Sequence, residues 1–289
     1  MMNHKASSTA RLIARCILLA ERDSSLRKLV AEGEAEVSRR ILCATDRTGL
    51  FRLALTRFPR TLLLGMERAL LPGIIAHYLA RKRKIELAVR QALESGLGQV
   101  VVIAAGYDSL CLRLRARHPA VTFIEIDHPA TQLPKAKSFP ETGNFRYIPA
   151  DLRSNNSLSK TFPETARAVF VIEGLTMYLE EESNRALLRQ IATRCGKLIF
   201  TFMEMNSEGS IHFRNQSPVV SSWLRHRNEP FLWGITRSNL PVFLEECGFR
   251  CMDIIDDLRL RDEILAPIGL GEILLAKGEC ICIAEPIMQ

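Results

Sequence analysis

The chain has 289 residues, 47% of them apolar, and a formal net charge of +7. That is ample material for a substantial core. No apolar run approaches the ~18 residues a membrane helix needs, and no repeat or low-complexity tract is visible, so membrane-spanning, solenoid and disordered classes are excluded. Residues 1–95 hold 18 Lys and Arg against 9 Asp and Glu, and the remainder holds 21 against 23, so the basic surplus belongs to the N-terminal third. Acids are interleaved among those bases, which reads as a solvated helical surface rather than an RNA platform or a membrane-binding face.

The N-terminal stretch MMNHKASSTARLIARC carries charges through its apolar part, which argues against a secretory signal. It is Arg-rich and acid-poor, as transit peptides are, but reads as an amphipathic helix of the fold. ARLIARCILLAERD and IIAHYLARKRKIELAVRQALESG both space apolar residues helically. The second starts at Pro72-Gly73 and stops on a Gly. Residues 1–95 therefore form an N-terminal helical cap.

From residue 99 the period changes. QVVVIA is a buried strand, DSLCLRLRARHP a helix stopped by Pro119, VTFIEID a second strand, and HPATQLPKAK a helix with Pro129 in its first turn. NFRYIPADL is a third strand and loop, ARAVFVIEG a fourth strand, EEESNRALLRQIATRCG a helix, and KLIFTFM a fifth strand. Near-continuous apolar strands alternating with helices predict an α/β fold with a doubly wound, mostly parallel sheet. Residues 204–235 break the rhythm, carry both tryptophans, Trp223 and Trp233, and read as an inserted lid. RSNLPVFLEECG is a further helix, RCMDIID a strand, and GEILLAKGECICIAEP one long strand or a hairpin. Two closing strands without a long helix between them predict an antiparallel edge. Residues 96–289 thus form one domain with the lid inside it.

The eight cysteines contain no CxxC pair. Cys280 and Cys282 alternate on a strand, and Cys247 and Cys251 flank a Gly turn. All eight read as reduced thiols of a cytoplasmic protein, and no metal site is expected.

In open α/β sheets the ligand lies beyond the carboxyl ends of the strands. After the first strand come Ala104, Ala105, Gly106 and Asp108; after the second, Asp127 and His128; after the third, Asp151 and Leu152; after the fourth, Glu173. One acid of this kind is ordinary helix capping; four in a row are not. No base follows any of these strand ends directly. A dinucleotide would want a GxGxxG loop free of carboxylates, so an NAD-linked oxidoreductase is disfavoured. The rim suits a ligand rich in cationic and hydroxyl donors, such as S-adenosyl-L-methionine. Asp127 is placed to accept ribose hydroxyls, Asp151 to meet an adenine amine, and Glu173 to face an ammonium.

HYLARKRKIELAV, QVVVIAAGYDSL, FIEIDHPATQLPK, PADL, VIEGLTMYL and EPFLWGITRSNLPVFLEECGF, in this order, resemble the leucine carboxyl methyltransferase family. The resemblance runs from about Ser7 onward; EIDHPATQ and EGLTMYL are its most specific parts. It implies a Rossmann-like seven-stranded sheet under an N-terminal cap and an S-adenosyl-L-methionine-dependent O-methyltransferase. It also implies that Arg81 binds the cofactor carboxylate, that Ala105 and Gly106 form the glycine loop, that Asp127 holds the ribose, that Asp151 and Leu152 hold the adenine, and that Glu173 is the EGLTMYL acid. The family pattern has Gly-Ala-Gly followed by Asp-Thr where this chain has Ala104-Ala105-Gly106 and Asp108-Ser109. If that first position needs a positive φ, Ala there costs on the order of 1 kcal/mol.

The expected reaction is methyl transfer to a carboxylate or hydroxyl of a small molecule or peptide, with nucleic acid and membrane not expected as partners. Tyr178, His212 and Arg214 are candidate acceptor contacts beside Glu173, and Trp223 and Trp233 candidate walls of an apolar pocket. A tRNA-modifying relative and a cofactor-binding pseudoenzyme, the latter prompted by Ala104, are the alternatives.

Overall fold

The computed structural model describes residues 8–45, 57–152, 167–220, 222 and 230–287. Seven strands form one sheet: β1 Gln99–Ile103, β2 Thr122–Asp127, β3 Phe145–Pro149, β4 Ala168–Ile172, β5 Cys195–Met203, β6 Phe249–Ile255 and β7 Glu279–Pro286. Their order is β3-β2-β1-β4-β5-β7-β6. The first five are parallel; β7 runs antiparallel to both β5 and β6. This is the doubly wound, Rossmann-like sheet with the antiparallel edge that the alternation of elements predicts.

The strands are apolar throughout because both faces are covered. Val100 and Val102 of β1 join one core with Val169, Val171 and Ile199. Val101 and Ile103 join the other with Ile124, Phe170 and Phe200. Helices α1 Ser8–Glu21, α2 Glu34–Thr45, α3 Arg57–Leu70 and α4 Ile74–Glu94 precede the sheet. Buried side chains of α1, α2 and α4 belong to the first of those cores, so cap and sheet share one apolar interior. Among the described residues no single helix is long and apolar enough to cross a membrane.

Helices α5 Leu110–Leu114, α6 Pro129–Ser138, α7 Glu181–Ala192, α8 Leu240–Glu246 and α9 Asp257–Leu260 follow the strands. Two readings are corrected, and one stretch left unassigned in the sequence is helical. The helix expected over DSLCLRLRARHP lasts five residues, because Asp108 is spent capping Leu110 N–H and the chain turns before Pro119. DLRLRDEILAPI, which carries no strong period, is helical: α9 runs into a π turn over Arg261–Leu265 and a 3-10 turn over Ala266–Ile268. GEILLAK is not a strand. Ala276 N–H donates to Gly73 O, and Asn215 Nδ2 donates to Leu275 O. That backbone is committed to the start of α4 and to the insertion, so it has no ladder to join. Gly73, at φ +83°, is required there: a Cβ would lie 2.8 Å from Leu275 Cα.

Candidate active site

The site begins with where α4 puts its charges. His77 and Arg81 are four residues apart and share the helix face that looks onto the sheet. Both are buried, at 0% and 3% exposure. Arg81 Nε and Nη2 donate to Glu173 Oε1 at 3.0 and 2.6 Å, and Nη1 donates to Glu279 Oε2 at 2.5 Å. The guanidinium also lies over the Tyr78 ring, 4.9 Å from its centroid. His77 Nε2 lies 3.2 Å from the same Glu279 oxygen. Lys82 reaches Glu173 Oε2 at 3.1 Å and also bonds Asp108.

The strand-end acids are therefore not a bare rim. No base follows the strands in sequence, but α4 delivers Arg81 and Lys82 onto them from the cap. Glu173 and Asp108 are paired before any ligand arrives, so the rim is less acidic than the strand ends alone suggest. The carboxyl of Asp108 is pushed up by burial but pulled further down, well below the usual range, by Lys82 and Lys135. Burial holds Arg81 back, yet Glu279 and Glu173 outweigh it and fix the guanidinium as charged.

Asp127 closes the second strand. Its Oδ2 accepts from Gly106 N–H and its Oδ1 from His128 N–H, both at 2.5 Å. Ala105 N–H donates to Ile126 O at 3.2 Å. These bonds zip the loop after β1 onto the end of β2 and set Gly106 beside the Asp127 carboxylate. Burial raises the Asp127 carboxyl above its ordinary range, opposed by the two N–H donors. Gly106 has φ +52°, and a Cβ there would sit 3.3 Å from Ala10 Cβ, so α1 roofs the loop. Ala104 has φ +56°, the one non-Gly positive φ among the described residues. The left-handed conformation that favours glycine is thus imposed here on alanine.

His128 caps α6 through Nδ1, which accepts from Ala130 N–H at 3.2 Å. Asp151 follows β3 and is half-buried, and Leu152 packs on the second core. Tyr178 is half-buried beyond β4, its ring 5.6 Å from that of Phe231. Phe231 leads to Phe213 at 6.0 Å and Phe213 to His77 at 6.2 Å. Arg214 stands apart: it pairs with Glu204 at 2.6 Å, in a cluster completed by Arg237 and Asp256. His212 is half-buried in the insertion, its carbonyl 3.0 Å from where a Gly278 Cβ would lie. Trp233 is a packing anchor, its ring tilted by 40° against that of Phe243 at 5.0 Å in the second core. Trp223 lies outside the described residues.

Glu279, His77 and Lys82 are missed by a reading of strand ends. Lys82 hides in the run RKRK as one more surface base. Glu279 opens ECICIA, and its signal is a charged residue at the start of a strand whose next three residues are buried. Among the described residues, no three His, Cys, Asp or Glu groups are placed to hold a metal ion, and the cysteines are free.

Residues 23–192 match the family model described as leucine carboxyl methyltransferase. A relative in Bacillus subtilis (strain 168), named a putative S-adenosyl-L-methionine-dependent methyltransferase, YktD, is 26% identical over 121 residues, 39% of this chain and 40% of the relative. The tetracenomycin polyketide synthesis O-methyltransferase TcmP of Streptomyces glaucescens is 32% identical over 138 residues, 47% of this chain and 48% of its own. The chain thus spans less than half the length of the curated relatives it matches. Among solved structures, magnesium protoporphyrin IX methyltransferase from Synechocystis PCC 6803 aligns with a TM-score of 0.46 at 11% identity, over 87% of this chain and 93% of that one. SibL, an S-adenosylmethionine-dependent methyltransferase, aligns at 0.47 and 14%, over 96% and 74%. The family match covers more than half of the sequence and contains Arg81, the loop after β1, Asp127 and Glu173; this chain belongs to the leucine carboxyl methyltransferase family.

Proposed function

We propose that the protein is an S-adenosyl-L-methionine-dependent O-methyltransferase of a small-molecule or peptide carboxylate or hydroxyl. The observation that carries this reading is Arg81: a buried guanidinium held between two carboxylates, beside a glycine loop latched to Asp127. The donor set fits the cofactor. Arg81 offers N–H groups to a carboxylate, Glu173 and Asp108 offer acceptors to an ammonium, and Asp127 offers lone pairs to ribose hydroxyls. Beside Gly174 nothing lies within 4 Å of where a Cβ would be, so there is open space next to Glu173. When bound, the cofactor supplies a methyl group on a sulfonium, open to in-line displacement.

The chain's own contribution is alignment and exclusion of water. Alignment of nucleophile, methyl and sulfur supplies up to roughly 7–11 kcal/mol. The α1 roof over Gly106 and the Tyr178–Phe231–Phe213 wall shield the edge and suit an apolar acceptor body. A carboxylate acceptor is ionised at neutral pH and needs no base, whereas a phenol, at pKa ~10, does. The O-methyltransferase name of the Streptomyces glaucescens relative supports oxygen as the acceptor atom. Nucleic acid and membrane are not part of this reading, and a cytoplasmic location is.

Thermal shift with S-adenosyl-L-methionine, NAD and ATP tests the cofactor: the first should stabilise and the others should not. Stabilisation by NAD alone would end this reading. Methyl transfer to a carboxylate should be nearly flat in rate from about pH 6 to 8. A rate climbing about tenfold per pH unit there identifies a hydroxyl acceptor.

A further inference from the structure

Arg81 carries five N–H donors. Three are engaged, two by Glu173 and one by Glu279, and two remain. The two carboxylates differ in what else holds them. Glu279 is 1% exposed, its Oε2 is shared with His77 Nε2, and its backbone is locked in the β5–β7 ladder opposite Met203. Its other oxygen, Oε1, and His77 Nδ1 are both buried without a hydrogen-bond partner among the described residues, so neither group has a better place to go. The Glu173 side chain, 11% exposed, has a second cation in Lys82, on its other oxygen. Moving Glu173 off Arg81 leaves it paired with Lys82; moving Glu279 off leaves its charge in the core with the His77 hydrogen bond but without the guanidinium, which is strongly unfavourable.

From this asymmetry we infer that Glu279, backed by His77, is a positioning residue that permanently holds Arg81 Nη1, whereas Glu173 is a resident stand-in for the cofactor carboxylate. The inference rests on the cofactor reading above. On binding, the Nε–Nη2 edge of Arg81 passes from Glu173 to the ligand carboxylate, Glu173 stays on Lys82 and is freed to face the ammonium, and Nη1 stays on Glu279. The proton inventory does not change; only hydrogen-bond partners exchange. Glu279 thus sets the plane of the guanidinium without touching the ligand.

The test is calorimetric titration of the full chain with S-adenosyl-L-methionine and with 5′-methylthioadenosine, which keeps the nucleoside but lacks the amino-acid carboxylate. Glu279→Gln should weaken S-adenosyl-L-methionine by roughly tenfold or more and leave 5′-methylthioadenosine within about twofold. Glu173→Gln, with Lys82 in place, should weaken S-adenosyl-L-methionine less. Equal loss for both ligands makes Glu279 a structural residue and overturns the inference, as does unchanged binding of S-adenosyl-L-methionine by folded Glu279→Gln. If Glu279→Gln does not fold, Glu279→Asp, which keeps the charge and shortens the reach, is read the same way. Wild-type protein that binds neither ligand overturns the cofactor reading itself, a result separable from all of these.

Discussion

Glu125 and Glu279 are each 1% exposed, each faces a cation, and their carboxyls are driven in opposite directions. Glu125 lies on β2 with one partner cation, Lys135 of α6, at 2.6 Å. Burial pushes its carboxyl up to about 7, against the pull of Lys135. Glu279 is pushed up by burial too, but Arg81 and His77 outweigh it and hold the carboxyl at about 2. Desolvation is common to both, so the difference lies in the neighbours, and the Asp108 and Asp127 carboxylates add to the upward push on Glu125. A single ammonium is a point charge, and Lys135 divides its donors between Glu125 and Asp108 O, 2.5 Å away. Arg81 gives Glu279 one charged N–H from Nη1, and His77 adds a second bond to the same oxygen. A buried carboxylate stays ionised where two donors converge on one of its oxygens, and drifts toward neutrality where one cation is opposed by neighbouring carboxylates. The ionised one stands in the candidate site.

The sharpest break of this comparison is to remove each cation. Arg81→Leu leaves Glu279 and Glu173 facing each other, buried and without the guanidinium, and should cost about 3–5 kcal/mol of unfolding free energy along with cofactor binding. Lys135→Leu leaves Glu125, which can take a proton near neutrality, so the loss should be about 1–3 kcal/mol. Urea denaturation of both variants at pH 7 decides it. Equal losses would mean the two regions are electrostatically alike.

A milder probe is pH. The native Glu125 carboxyl binds its proton more readily than the ordinary value of 4.5 allows. Its contribution is therefore fully present below 4.5 and is lost as pH rises through about 7. Glu279 has the opposite sign: its contribution is present above 4.5 and is lost as pH falls toward about 2. Stability measured across this range should lose part of its decline between 4.5 and 7 in Glu125→Gln and part of its acid-side decline in Glu279→Gln. If Glu125→Gln leaves the slope above 4.5 untouched, Glu125 is not the group that titrates there.

Both regions also show what could be read from residues alone. The parallel strands were legible because VVVI and VFVI cannot sit half-exposed. Asp127, Gly106, Glu173 and Arg81 were legible as strand-end or motif positions, and the structure gathers them at one edge. Lys82, Lys135 and Glu279 were not, because what matters about each is its partner on a distant element. Lys135 and Asp108 lie 27 residues apart, and Arg81 and Glu279 lie 198 apart. GEILLAK was misread for the same reason. Its composition is that of a strand, and only its bonds to Gly73 and Asn215 make it a loop. Arg214 is a candidate acceptor contact in sequence, and its pairing with Glu204 is likewise visible only in the fold.

The smallest expected effect lies in the loop that joins the two regions. Asp108 binds Lys82 through its carboxylate and Lys135 through its carbonyl, and Ala104 begins the turn that places it. At φ +56° an alanine Cβ crowds the following carbonyl, a strain of roughly 1–2 kcal/mol. Ala104→Gly removes the strain but frees the unfolded chain, which gives back about 0.4–1 kcal/mol. The net change should be a gain between about zero and 1.6 kcal/mol, with cofactor binding as tight or tighter because a half-buried methyl leaves the loop. Calorimetric melting with and without S-adenosyl-L-methionine reads both. A loss of stability would show that the Ala104 methyl contributes packing worth more than its strain. The turn that joins the lysine-held and arginine-held carboxylates would then be stabilised by apolar contact rather than by the charges on either side of it.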